Sequence, residues 1–97
     1  MTGWEQAMAI IRYIRTERSI RRLQQRAEDV ECELILTENA VISSEREFPL
    51  AKVWDMSSRA ATSRCWFLYL HTDEGVFAFR TEEQPEGFIG IYKSMKK

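Results

Sequence analysis

Few residues in this chain have the types and spacing that chemistry needs. Its one histidine, His71, closes an apolar run just ahead of Asp73 and Glu74. A general base needs a substrate cleft and an orienting acid, and a tight acidic turn rarely makes a cleft. His71 therefore reads as a hydrogen-bonded structural residue. The two cysteines, Cys32 and Cys65, lack CxxC spacing and have no histidine nearby, whereas a bound metal needs closely placed ligands. They read as reduced thiols behaving as small buried hydrophobes. No Gly-rich phosphate loop occurs. The expectation is a protein that is not an enzyme and takes no metal, no cofactor and no small-molecule substrate.

Two other groupings suit binding. Arg12, Arg15, Arg18, Arg21, Arg22 and Arg26 crowd the first third of the chain, offset there by Glu5, Glu17, Glu28 and Asp29. On a helix, steps of three and four would align most of them into a basic stripe able to lie on anionic lipid or nucleic acid. On strands they would scatter over two faces, and a charge run is usually a solvated surface. Aromatic residues suited to base stacking are nearly absent between them. The second grouping is Trp54 beside Asp55, with Arg59 and Arg64 in the stretch SSRAATSR. An aromatic anchor with charges at an open sheet edge suits an extended peptide or a second copy of the chain. The plainer alternative is that Trp54 belongs to the core.

The elements that must position these groups are mostly strands. Cys65 to Thr81, CWFLYLHTDEGVFAFRT, reads as a hairpin whose Asp-Glu-Gly link ends in a residue that takes positive φ freely. Trp66, Leu68 and Leu70 on one face of the first arm oppose Cys65, Phe67, Tyr69 and His71 on the other. That predicts a central strand covered on both sides. Upstream, Val30, Cys32, Leu34 and Leu36 alternate with Glu31, Glu33 and Thr37 as a half-buried strand. Glu38-Asn39 then links tightly to a short strand from Ala40 to Ser43, followed by a polar turn at Ser44-Glu45-Arg46. Phe48 and Leu50 mark the next strand, which Pro49 pushes to a sheet edge or a bulge. Lys52 to Met56 continues as strand, and Ser57 to Arg64 reads as the longest exposed loop.

A helix is predicted from about Pro85 to Lys97, with Phe88, Ile91, Tyr92 and Met95 on one face and lysines at its negative end. Gly87 and Gly90 cost it about 1 kcal/mol each relative to Ala, which points to close approach of a strand. Residues 4 to 29 carry neither Gly nor Pro and favour helix by propensity. Thr2 and Glu5 have capping-box spacing, but the stripe Trp4, Met8, Ile11 does not join the stripe Ile20, Leu23, Ala27, Val30. Alternation of Met8, Ile10 and Ile14 with Ala9, Ile11 and Tyr13 supports strands instead, with a turn at Thr16 to Ser19. The residues alone leave helix and strands open here.

Ninety-seven residues, 44% apolar and 30% charged, suit one globular domain with a single core. A formal charge of −1 gives no global pull towards nucleic acid or acidic lipid. No apolar run approaches the roughly 18 residues of a spanning helix. The start MTGWEQAMAIIRYIR lacks the basic opening and small-residue cleavage site of a secretory signal, so a cytoplasmic location is expected.

Short strands, a hairpin and one C-terminal amphipathic helix is the element order of a pleckstrin-homology-like (PH-like) domain. The phrases ECELILTENAVI at 31–42, EFPLAKVWDMSSR at 47–59, FLYLHTDEGVFAFRT at 67–81 and PEGFIGIYKSMK at 85–96 resemble those of small uncharacterised PH-like proteins of Gram-positive bacteria. The resemblance covers about two thirds of the chain and is most specific in LYLHT and GVF. It implies a mainly β, PH-like antiparallel sandwich or partly open barrel capped by the C-terminal helix. It also implies strands over roughly 18 to 29, where Ile20 to Leu23 and Arg26 to Val30 resemble a first hairpin, and it leaves 4 to 16 open. Two departures stand out: Ala60-Ala61-Thr62-Ser63 replaces a Gly-rich loop, and Gly87 and Gly90 are unusual in the last helix. Residues 24 to 33, QQRAEDVECE, do not carry the basic phosphoinositide pattern of eukaryotic PH domains.

The expected core is Cys32, Leu34, Leu36, Val41, Leu50, Val53, Phe67, Leu68, Leu70, Phe77, Phe79, Phe88, Ile91 and Tyr92. The expected function is a non-catalytic interaction module that binds a protein or itself through sheet edges, with Trp54, Asp55, Arg59 and Arg64 as candidate contacts. The alternative is an anionic membrane surface or nucleic acid bound through Arg12, Arg15, Arg18, Arg21, Arg22 and Arg26.

Overall fold

Alternating apolar and polar side chains make strands of most of this chain. The computed structural model describes residues 7–21 and 24–96, with side-chain surroundings for 7–16 and 28–96. In chain order the strands are β1 (Ala9–Arg21), β2 (Gln24–Leu36), β3 (Ala40–Ile42), β4 (Glu47–Pro49), β5 (Val53–Thr62), β6 (Cys65–Thr72) and β7 (Gly75–Thr81). A 3-10 turn at Leu50–Lys52 precedes β5, and a helix, α1 (Glu86–Met95), follows β7. The strands form one antiparallel sheet in the order β4-β3-β2-β1-β7-β6-β5. The sheet is not closed, so β4 and β5 are its edges. It curls enough to set Phe48 of β4 against Phe77 and Phe79 of β7, with ring centroids 5.0 and 6.4 Å apart.

The N-terminal question is settled in favour of strands for the described residues. β1 and β2 pair residue for residue from Ala9↔Leu36 to Arg21↔Gln24. No turn interrupts Thr16 to Ser19, which lies within β1. Helix preference is worth only tenths of a kcal/mol per residue, whereas burying one large apolar side chain is worth about 1.5–3 kcal/mol. Pairing Ile11 with Leu34 and Tyr13 with Cys32 puts such residues on one covered face, and that gain decides. The capping pair Thr2 and Glu5, and Trp4 of the first stripe, lie outside the described residues.

The core lies on the concave face. Ile11, Tyr13, Leu34, Leu36, Val41, Phe48, Val53, Met56, Leu68 and Leu70 meet Phe88, Ile89 and Tyr92 of α1 there, and Cys32, Leu50, Phe77 and Phe79 are partly buried against them. Two expected core residues are not in it. Phe67 is half-buried on the opposite face, and Ile91 is 37% exposed. The helix buries Phe88, Ile89 and Tyr92, so its inner face is turned towards Ile89 from the face expected. Space at the two helical glycines also differs from expectation. A methyl group added at Gly87 or Gly90 would meet nothing within 4 Å, so neither residue is there for close packing.

Two strand expectations are corrected. β6 was expected to be covered on both sides, but it buries only Leu68, Leu70 and Thr72, while Phe67, Tyr69 and His71 are half-exposed. It has β5 and β7 as neighbours, but among the described residues no layer covers its outer face. Ser57 to Arg64 is not a loop, because β5 runs on to Thr62 and pairs Ser57 with Tyr69, Ser58 with Leu68 and Arg59 with Phe67. Its small polar side chains are compatible with an exposed edge strand, which needs backbone partners on one side only.

A shared device closes three of the turns. The hydroxyls of Thr37, Ser43 and Thr72 each donate to the carbonyl three residues on, at 3.2, 3.0 and 2.9 Å. Each also accepts the amide two residues on. Hydroxyl side chains of this kind substitute for missing ladder bonds where a strand reverses. At the last of these turns Gly75 has φ of +125°, so the expected glycine freedom is used there.

Candidate interaction surface

β5 is the terminal strand on one side of the sheet, and its own irregularities shape the surface around it. Its pairing with β6 shifts register between Val53 and Asp55 and again between Ala60 and Thr62. A bulge re-aims the side chain of the extra residue, and here Trp54 ends up 62% exposed. The tryptophan is thus on the surface and not in the core. Its ring lies 5.4 Å from that of His71 at 45°, and His71 Nε2 is hydrogen-bonded to Ser57 Oγ at 2.8 Å. His71 is therefore held by a hydroxyl and an indole.

Further along the same outer face, Phe67 and Tyr69 stack with centroids 6.3 Å apart and planes 25° apart. Arg59 stands opposite Phe67 on β5. A depression of about 340 Å³ is lined by Arg59, Ala60, Ala61, Phe67 and Tyr69. Arg64 is exposed in the turn after β5. Among the described residues, neither Arg59, Arg64 nor Asp55 makes an ion pair. The expected contacts thus lie along one strand and its turn: Trp54 and Asp55 at its start, Arg59 in its middle and Arg64 just past its end.

The other side of β5 borders α1. Tyr92 Oη donates to the Val53 carbonyl at 3.0 Å and fixes the helix over the start of the strand. Burial, and after it the Asp55 carboxylate, pushes the Tyr92 hydroxyl above its ordinary pKa of 10.0. Beyond that contact strand and helix part, leaving a groove of about 360 Å³ between Asp55, Met56, Ser57 and Ser58 on one wall and Glu86, Ile89, Gly90 and Lys93 on the other. Gly90 leaves the helix wall bare at its middle.

The arginine-rich region is distributed differently from a helical stripe. Arg12 and Arg15 have opposite parity on β1 and so fall on opposite faces. Arg12 Nε lies 3.9 Å from Glu83 Oε2, and a depression beside it is walled by Glu31, Glu82 and Glu83. Arg15 pairs with Glu45. Arg18 and Arg21 are in β1 and Arg26 is in β2, but their side chains, like the whole of Arg22, lie outside what the structure describes.

One cation that sequence reasoning passed over is Arg46. It pairs with Glu74 at 2.7 Å and lies 4.8 Å over both the Phe48 and the Phe77 rings. It joins β4 to the β6–β7 turn across the mouth of the curled sheet. Its place in a polar turn beside Phe48 gave no sign of a partner 28 residues away. The pairing becomes visible only when the sheet curls. Among the described residues, no cluster of His, Cys, Asp and Glu has the makings of a metal site, and no helix is long and apolar enough to cross a membrane. Compared with known proteins, the chain matches no family model, no curated protein and no solved structure.

Proposed function

We propose that this protein is a non-catalytic interaction module, PH-like in layout, that binds an extended protein segment along the outer edge of β5. One observation carries the reading: the last strand of the sheet is ten residues long and has one side unpaired among the described residues. Edges of that length are commonly blunted with Lys, Pro, bulges or a covering element, and the two bulges of β5 leave its middle from Asp55 to Ala60 regular. β5 contains neither Lys nor Pro, and α1 stands off it by an open groove. An added strand would draw affinity from main-chain hydrogen bonds and specificity from side pockets. Trp54, with its exposed ring, would anchor one end, and Asp55, Arg59 and Arg64 would set direction by charge.

His71 has a structural role in this reading, ordering Trp54 and Ser57. The anionic-surface alternative has less support, because Arg12 and Arg15 already have carboxylate partners. The module works in the cytoplasm, where its two free cysteines would stay reduced.

Selection of a random peptide library on the purified protein tests the proposal. The expected outcome is extended peptides whose binding shifts the amide resonances of Asp55 to Ala60 and is lost in a Ser58→Pro variant. Peptides that map to another surface, or that bind the Ser58→Pro variant equally well, would overturn it.

A further inference from the structure

We infer that the strand received at the β5 edge is β5 of a second copy, antiparallel to the first and centred on Ser57. This rests on the reading of β5 as an acceptor edge and names its occupant. The argument starts from symmetry. In a two-fold antiparallel pair the same residues face each other in both directions, and paired residues must lie on the same face of the continued sheet. β5 is regular only from Asp55 to Ala60, between its two register shifts. Within that stretch Asp55, Ser57 and Arg59 lie on the outer face, opposite His71, Tyr69 and Phe67 of β6.

Keeping outer face with outer face requires the axis to pass through a residue and not between two. Centring on Met56 sets Asp55 against the second copy's Ser57, and centring on Ser58 sets it against Ala61. Centring on Ser57 sets Asp55 against Arg59 of the second copy and Arg59 against Asp55, so that one register forms two opposite-charge pairs. Both residues make no ion pair within their own chain among the described residues. The same register leaves exposed Trp54 at the bulge, beyond the regular pairs. On the inner face it sets Met56 opposite Ser58, bordering the groove that Gly90 leaves open. Exposed charge pairs contribute little affinity but choose direction and register strongly, since like charges directly opposite repel.

The test is the solution mass of the wild-type chain, of Asp55→Arg, of Arg59→Asp, of the double exchange and of an equimolar mixture of the two single variants. The wild type is expected to be a dimer. Each single variant places like charges opposite each other twice, so its dimer should weaken by at least about tenfold, the effect of ~1.4 kcal/mol. The mixture should form a one-to-one heterodimer, and the double exchange should restore the homodimer. Rescue by mixing also shows that the single variants are folded. A monomeric wild type, or a dimer indifferent to the single exchanges, overturns the inference. If the wild type is monomeric and library peptides still bind at Asp55 to Ala60, the second-copy inference fails while the acceptor-edge reading stands. If neither a dimer nor a β5-bound peptide is found, both fail.

Discussion

The Tyr92 hydroxyl donates to the Val53 carbonyl at 3.0 Å, and this single bond ties the last element of the chain to the first residue of the edge strand. Both residues are fully covered, at 2% and 0% exposure. The groove between Asp55 to Ser58 and the helix lies beside this bond. Tyr92→Phe should leave the carbonyl buried without its donor and cost about 1–3 kcal/mol, measured by urea unfolding at neutral pH.

The same hydroxyl sets a dependence on alkaline pH. Burial, then Asp55, raises its folded-state pKa above the ordinary 10.0. A group whose folded pKa is raised contributes stability that is complete below its unfolded value and is lost as pH rises through its folded value. The stability difference between wild type and Tyr92→Phe should therefore be constant up to about pH 10 and shrink above it. A difference that grows above that pH would mean that Tyr92 ionises more easily in the folded chain.

The two faces of β6 should respond differently to truncation. Leu68 is fully buried, whereas Phe67 beside it is half-exposed on the uncovered face. Leu68→Ala should cost about 2–5 kcal/mol through lost burial and an unfilled cavity. Phe67→Ala, although it removes a larger side chain, should cost clearly less. Chemical unfolding of the pair checks the facing, and equal losses would mean that something covers the outer face.

Gly90 offers a stabilising change and a blocking one. Nothing lies within 4 Å of a methyl group placed there, and Ala is preferred over Gly inside a helix by about 0.8–1.0 kcal/mol. Gly90→Ala should therefore raise the midpoint of thermal unfolding. Gly90→Leu would fill the groove beside Met56 to Ser58, leaving the fold intact and weakening strand binding at β5. Calorimetry and a peptide titration on the two variants separate these effects.

Trp54→Ala should leave stability within about 0.5 kcal/mol, the range of surface substitutions away from packed features. Its indole touches His71 but is 62% exposed. Binding at the β5 edge should nevertheless fall, because exposed aromatic anchors carry a large share of contact energy. Unfolding and binding measured on one preparation would show whether the two effects separate.

Local features made much of this architecture readable. The period-two run from Val30, the Asp-Glu-Gly turn, Pro49 at a sheet edge and Pro85 ahead of the helix each act within a few residues, and each is where the sequence put it. The turn-closing hydroxyls of Thr37, Ser43 and Thr72 act over the same short range. The helix face was misjudged by one position because Phe88, Ile89 and Tyr92 also share a face, and only the sheet beneath α1 chooses between the two sets.

What sequence alone determined was the strand-rich pattern from Val30 onward, the Asp-Glu-Gly turn and the terminal helix, because these follow from backbone preference and side-chain periodicity. Tertiary structure decided the rest. Pairing turned a helix-favouring N-terminus into β1 and β2, joining residues as far apart as Ala9 and Leu36, and drew the stretch Ser57 to Thr62 into β5 against β6. Lack of a second layer among the described residues left Phe67, Tyr69 and His71 half-exposed, and the bulge put Asp55 on the outer face together with Trp54. In each case the deciding energy is burial or pairing with another segment, which single-residue preference does not contain.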